Sequence, residues 1–262
     1  MRKLLSFLAF TLTLCAGCAS IAGAGSLADV AVINRTTGDR LQVYRHAGRI
    51  YVEGRAGDRY AVELRNRTGG RILTVLAVDG VNAITGETAA ASQTGYVLGS
   101  WDRAEIAGWR KDLKDVAAFY FTALPDSYAA RTGRPDNVGV IGVAIYKEYV
   151  EPPRVMLEAP SQPKDRSAAR KSANDGAGAS AAPSGMPAES SQMAKEKLGT
   201  GHGERIHAPT HNTEFRRASI SPSESITIYY DSRQNLIAQG VLARYQKMPQ
   251  PFPNGGYVPD PS

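Results

Sequence analysis

The sequence predicts an all-β protein, a β-sandwich or small barrel completed by a C-terminal hairpin and carrying a disordered insertion. Three observations predict it. Short apolar runs of period two recur between residues 29 and 150, separated by Gly- and Asn-rich turns. No long 3.6-period segment exists outside the first residues, which argues against a βαβ fold. After a polar stretch, a run of high β-propensity, Ile226-Thr227-Ile228-Tyr229-Tyr230, returns near the end.

Taken in order, Val30 and Val32 alternate ahead of a turn cluster at Asn34 to Asp39. Leu41 and Val43 form the next short run, which ends at His46-Ala47-Gly48. Ile50 and Val52 follow, and Tyr60, Val62 and Leu64 alternate with Ala61, Glu63 and Arg65. Ile72 to Val78 is continuously apolar and predicts a central strand buried on both faces. Asp79-Gly80 is a two-residue hairpin signal, because a type I′ turn needs positive φ at both positions. Further strands are expected at Tyr96 to Leu98, Glu105 to Trp109, Val116 to Thr122 and Asn137 to Tyr149. One helical turn is expected over Pro125 to Arg131, with Gly133 just beyond it. Ile226 to Tyr230 and a return run at Leu236 to Leu242 are expected to pair as a hairpin. An isolated hairpin is marginal in water, so this one should dock on the first domain.

The implied organisation is a signal segment at 1–24, a β-rich domain at 25–150, and a disordered linker at 151–198. A C-terminal segment at 199–248 and a flexible Pro-rich tail at 249–262 complete it. The linker is rich in Pro, Ser, Ala, Lys and Gly and nearly free of aromatics. It cannot bury enough apolar surface to offset its ordering entropy.

The leader carries Arg2 and Lys3, a short apolar run from Leu4 to Leu14, and small residues from Ala16 onward, the layout of a secretory signal. Cys15-Ala16-Gly17-Cys18 resembles the bacterial lipoprotein pattern, which implies lipidation of Cys18; Cys15 stands where Leu is usual. Cleavage after Ala24, within Ala22-Gly23-Ala24, is the alternative. The expected location is the bacterial cell envelope, as an outer-membrane lipoprotein or a periplasmic protein, or else the extracellular space. Any membrane contact would pass through the lipid. The two cysteines both lie in the leader, so stability must come from a packed core.

The stretch Tyr120 to Gly142, the Val78-Asp79-Gly80-Val81-Asn82 segment and Ile226 to Ser232 resemble a family of uncharacterised exported proteobacterial proteins. The resemblance covers both β-rich parts and skips the linker. It implies export and one shared fold, and no activity, ligand or catalytic residue.

The formal net charge of +6 comes mostly from Arg, with no basic stripe interleaved with aromatics, so nucleic acid is not expected as a partner. No cofactor is expected either. His202, His207 and His211, with Glu204, are the candidate metal ligands, since neutral imidazole suits zinc and copper. Their spacing matches no named zinc motif, and Pro209 keeps His207 and His211 off one helix. Ser127 lacks a G-x-S-x-G setting, and the main domain holds His46 alone, so no catalytic residue is nominated. Tyr96, Trp101, Trp109 and Tyr128 flank loops, where aromatics bind sugars or proteins or simply pack. Arg131, Arg134 and Asp136 make a polar loop beside them. The expected function is therefore a non-enzymatic binding or interaction protein whose partner is an envelope protein or surface ligand. A hydrolase or His-based metal enzyme, and a structural component of a surface assembly, are the alternatives.

Overall fold

Alternation along the chain is converted directly into two layers. In the computed structural model, which describes residues 25–151 and 197–243, the first strands are β1 (Ala28–Asn34), β2 (Val43–His46), β3 (Arg49–Gly54) and β4 (Arg59–Asn66). Then come β5 (Ile72–Val78), β6 (Val81–Asn82), β7 (Tyr96–Leu98), β8 (Arg103–Ile106), β9 (Gly108–Arg110) and β10 (Asp115–Ala123). A short helix, α1 (Tyr128–Arg131), precedes β11 (Val140–Lys147). Later in the chain come β12 (Leu198–His207), β13 (Glu224–Ser232) and a second helix, α2 (Arg233–Ala238).

One sheet runs β1-β4-β10-β12, with β8 on β4 and β9 on β10. The other runs β2-β3-β13-β11-β5-β6, with β7 also on β5. Neither closes, so the architecture is a sandwich and not the small barrel. All pairings are antiparallel except β13 with β3, which is parallel over Ile228 to Ser232.

Residues two apart share a face, and the faces sort as the alternation demands. Val30, Val32, Tyr60, Val62, Leu64, Phe119 and Phe121 point inward from one sheet. Val52, Ile72, Leu76, Val78, Ile141, Val143, Ile145, Ile226, Ile228 and Tyr230 meet them from the other. The outer face of the second sheet is covered too, which explains its uninterrupted apolar runs. Leu236 and Leu242 pack on Tyr51 and Tyr229, and Phe215 packs on Leu73, Val75 and Tyr146.

Three expectations are corrected. Leu236 to Leu242 does not return as a strand. Ser232 accepts the Asn235 N–H at 3.3 Å as an N-cap, Asp231 holds Asn235 and Gln239, and Gly240 ends the turn at φ +73°. The C-terminal unit is therefore a strand and a helix, not a hairpin, and its strand lies inside the second sheet between β3 and β11. The segment from Leu198, read as the end of the linker, is the edge strand of the first sheet. Its Leu-Gly-Thr-Gly-His-Gly sequence has poor β-propensity, but the glycines are required by the packing. A Cβ on Gly199 would stand 2.6 Å from the Ser127 Cβ, and one on Gly201 would enter the Tyr120 ring. The third concerns the linker itself, whose last residue, Leu198, lies in a strand; residues 152–196 of it, the leader with Cys15 and Cys18, and the Pro-rich tail lie outside the described residues. Among the described residues no helix is long and apolar enough to cross a membrane.

Candidate functional site

The Asp79-Gly80 dipeptide makes the expected tight turn between β5 and β6, at φ +53° and +72°. What the turn positions is the Asp79 carboxyl, which is fully buried. One oxygen accepts the Tyr230 hydroxyl at 2.6 Å and the Gly139 N–H at 2.9 Å. The other accepts the Thr200 N–H at 2.7 Å. The Thr200 hydroxyl bridges Tyr230 at 2.7 Å and Tyr60 at 2.5 Å, so four residues from both sheets form one hydrogen-bonded chain. Burial pushes Asp79 above the ordinary carboxylate range, and its donors only partly offset this. Burial and the neighbouring carboxylate raise Tyr60 and Tyr230 far above the ordinary phenol value. A second carboxylate, Asp231, accepts the Leu198 N–H at 3.1 Å. Leu198 and Thr200 are two apart on an edge strand, so both N–H groups point the same way. Asp79 and Asp231 thus satisfy the free edge of one sheet from the other. The network is a staple between layers, closed to solvent.

Two hollows flank this staple. One, of about 560 Å³, is lined by Glu53, Arg55 and Arg233. The other, of about 460 Å³, is lined by Arg49, Asp136, Lys197 and Asp231. In the first, Arg233 pairs with Glu53 at 2.9 Å. In the second, Asp231 is already spent on Leu198, Ser232, Asn235 and Gln239.

The three candidate metal ligands do not converge. His202 lies opposite Phe119 and His207 opposite Asp115, four positions along β10, or roughly 13 Å. His207 faces Asp115 at 3.3 Å, His202 stacks on Trp109, and His211 sits in the exposed segment beyond β12. Partial burial and the charges of Lys111 and Arg131 lower the His202 pKa, as suits a neutral ring packed on aromatics. Among the described residues no group of three or more His, Cys, Asp or Glu could hold a metal. Ser127 is buried and committed: it donates to the Leu124 carbonyl at 2.7 Å and accepts the Ala130 N–H that caps α1. His46 is exposed in β2 beside the Ala47-Gly48 turn.

The four loop aromatics separate. Trp109 is buried, edge-on to Phe119 at 4.8 Å and beside Tyr128 at 4.9 Å. Tyr128 lies under the Arg134 guanidinium, and Tyr96 under that of Arg110. Trp101 alone faces outward, 63% exposed. Its backbone sits at φ +60°, a region that costs a bulky residue about 1–2 kcal/mol. Buried Asn66 holds this conformation. Its amide donates to the Gly70 and Gly99 carbonyls at 2.7 and 2.6 Å, and its oxygen accepts the Thr68 N–H and hydroxyl. The Asn66 N–H reaches the Asp102 carbonyl and the Trp101 N–H reaches the Thr68 carbonyl. One buried amide therefore ties the 67–70 and 99–102 loops into a rigid mount for an exposed indole. The sequence marks Trp101 as one of four equivalent aromatics; Asn66 before Thr68 and a Gly pair, spaced as an Asx turn, is the signal that distinguishes its loop.

No family model, curated protein or solved structure matches the chain.

Proposed function

We propose that this protein is exported to the bacterial envelope and acts there as a non-enzymatic binding protein, with the Trp101 loop pair as its recognition surface. The carrying observation is the combination of exposure and strain at Trp101. An indole that is mostly in water gives little burial, and its left-handed backbone costs stability. Such a residue is explained by what it contacts outside the chain, where aromatic anchors dominate binding. Export is supported by the positive, apolar and small-residue order of the leader, with Cys18 as the lipidated residue.

Two measurements test this reading. Placing a photoreactive phenylalanine analogue at 101 in intact cells should give a discrete adduct, whereas the same analogue at Ile220, which is 96% exposed, should give none. Equal labelling from both positions, or none from 101, overturns the assignment. Trp101→Gly should leave the fold as stable as the parent or more stable by up to about 1 kcal/mol, because Gly takes positive φ without steric cost. A loss of more than that would make Trp101 a structural residue. For the anchor, Cys18→Ser should abolish fatty-acid labelling and release the protein from membranes; an unlabelled parent chain rules lipidation out.

A further inference from the structure

We infer that the end of the sandwich carrying Trp101 rests on a lipid bilayer, in the headgroup region of the leaflet that holds the Cys18 anchor. This rests on the reading of Trp101 as a contact residue and of Cys18 as the lipidated one. The chain enters the fold at the same end. Glu224 accepts the Ser26 and Leu27 N–H groups at 2.6 and 2.7 Å, and the Leu27 carbonyl accepts the Arg67 N–H at 2.9 Å. Thr68, next in that loop, accepts the Trp101 N–H at 3.2 Å. Leu27 follows Cys18 by nine residues, which span at most about 30 Å when extended. A lipid on Cys18 therefore holds the Trp101 loops near the membrane at a high effective concentration.

Other apolar side chains are exposed at this end. The 67–70 loop carries the chain from β4 in one sheet to β5 in the other, and the Arg71 carbonyl beyond it accepts the Glu148 N–H at 3.3 Å. Tyr149 and Val150 follow past the end of β11, 40% and 79% exposed. With Trp101 they make three of the five large apolar residues exposed among the described residues; Leu113 lies in the β9–β10 turn and Ile220 in a loop beside β11. Trp and Tyr favour the membrane–water interface, where the ring lies among headgroups and its polar atom stays wet. Charge does not select the surface. Asp29 stands opposite Arg65 on the β1–β4 ladder, Asp102 adjoins Arg103, and Glu148 pairs with Arg71 at 2.6 Å. Apolar contact is what this end offers, and any bilayer accepts it. A few apolar side chains bind a membrane weakly by themselves, which agrees with the release expected of Cys18→Ser.

Tryptophan fluorescence of the full mature, lipidated chain tests this, since the two Trp are exposed Trp101 and buried Trp109. The chain is reconstituted into phosphatidylcholine vesicles, either plain or brominated on the acyl chain just below the headgroup. Bromine quenches only an indole that touches it. The parent should lose most of its Trp101 emission in the brominated vesicles and none in the plain ones. Trp101→Gly, which keeps the fold, should leave only Trp109 emission, equally bright in both. Val150→Ser should reduce the quenching and Val150→Leu should retain it. Adding anionic lipid, or raising salt from about 0.1 to 1 M, should change little, because screening acts on charge. Equal brightness of the parent in both vesicles overturns the inference, as does equal quenching of Trp101→Gly. Quenching that needs anionic lipid overturns its apolar basis, and a mature chain without lipid removes the tether it requires. If the parent is not quenched while position 101 still cross-links to a protein or glycan in cells, this inference fails and the binding reading stands. If there is neither quenching nor an adduct, both fail.

Discussion

Replacing Asp79 with Ala should destabilise the fold by roughly 3–5 kcal/mol, enough to remove much of the stability of an ordinary domain. The change leaves the Tyr230 hydroxyl with the Thr200 hydroxyl alone and strands the Gly139 and Thr200 N–H groups in a closed interior. It also unties the edge of β12 from the second sheet. Asp79→Asn keeps the shape, but an amide has one acceptor where the carboxyl has two. Either Thr200 or Tyr230 and Gly139 then meet an N–H instead of an oxygen. Urea unfolding of the three proteins measures the effect, and a loss under about 1 kcal/mol for Ala would show that the network is not what joins the layers.

The same residue sets a sign for pH dependence. Burial raises the Asp79 pKa in the folded chain above its ordinary value of 3.8. The folded state therefore holds this proton more tightly than the unfolded one. Stability from this group is fully present below the unfolded value and is lost as pH rises through the folded value. The advantage of the parent over Asp79→Asn should accordingly grow as pH falls from about 7 towards 4. Glu224 works the other way. Its partial burial raises its pKa, but the Ser26, Leu27 and Ala28 N–H groups outweigh that and leave it lowered. Its contribution is present above the ordinary carboxylate value and lost as pH falls through the lowered one. Comparing the parent with Asp79→Asn cancels Glu224, which is present in both; an advantage that shrinks on acidification contradicts the assignment.

The second large effect is expected from truncation. A chain ending at Glu151 should lose its cooperative unfolding transition altogether. It lacks β13, which pairs β3 on one side and β11 on the other, so the second sheet is left in two pieces with facing unpaired edges. It also lacks Thr200 and Tyr230, two members of the buried network, and Leu198, which packs in the core. The fragment should be soluble only with difficulty, and adding residues 197–262 in trans should restore a transition. Deleting 160–193 from the intact chain should be tolerated, since loop-closure entropy depends weakly on length. If the 25–151 fragment melts cooperatively at the temperature of the whole chain, β13 is dispensable and the shared-fold description is wrong.

What the sequence determines by itself is the layer structure, because side-chain parity in a strand is local geometry. The period-two run at Tyr60 to Leu64, the continuous run at Ile72 to Val78 and the split of Ile226, Ile228 and Tyr230 from Tyr229 are all read off neighbouring residues and all hold. The Asp79-Gly80 turn is local for the same reason. Ser232 and Gly240 also carried a local message, an N-cap and a helix end, which a hairpin expectation obscured. Tertiary structure alone decided the rest. The edge strand β12 has almost no apolar alternation, and its glycines make sense only once Tyr120 and Ser127 lie against them. The parallel pairing of β13 with β3 joins residues about 180 positions apart, as Arg233 and Glu53 are. The inward turn of the Asp79 carboxyl depends on donors from residues 139, 200 and 230. Exposure of Trp101, against burial of Trp109, depends on which loop Asn66 ties down. Propensity and parity act over a few residues, whereas the desolvation that fixes a buried carboxyl or leaves an indole in water belongs to the packed whole.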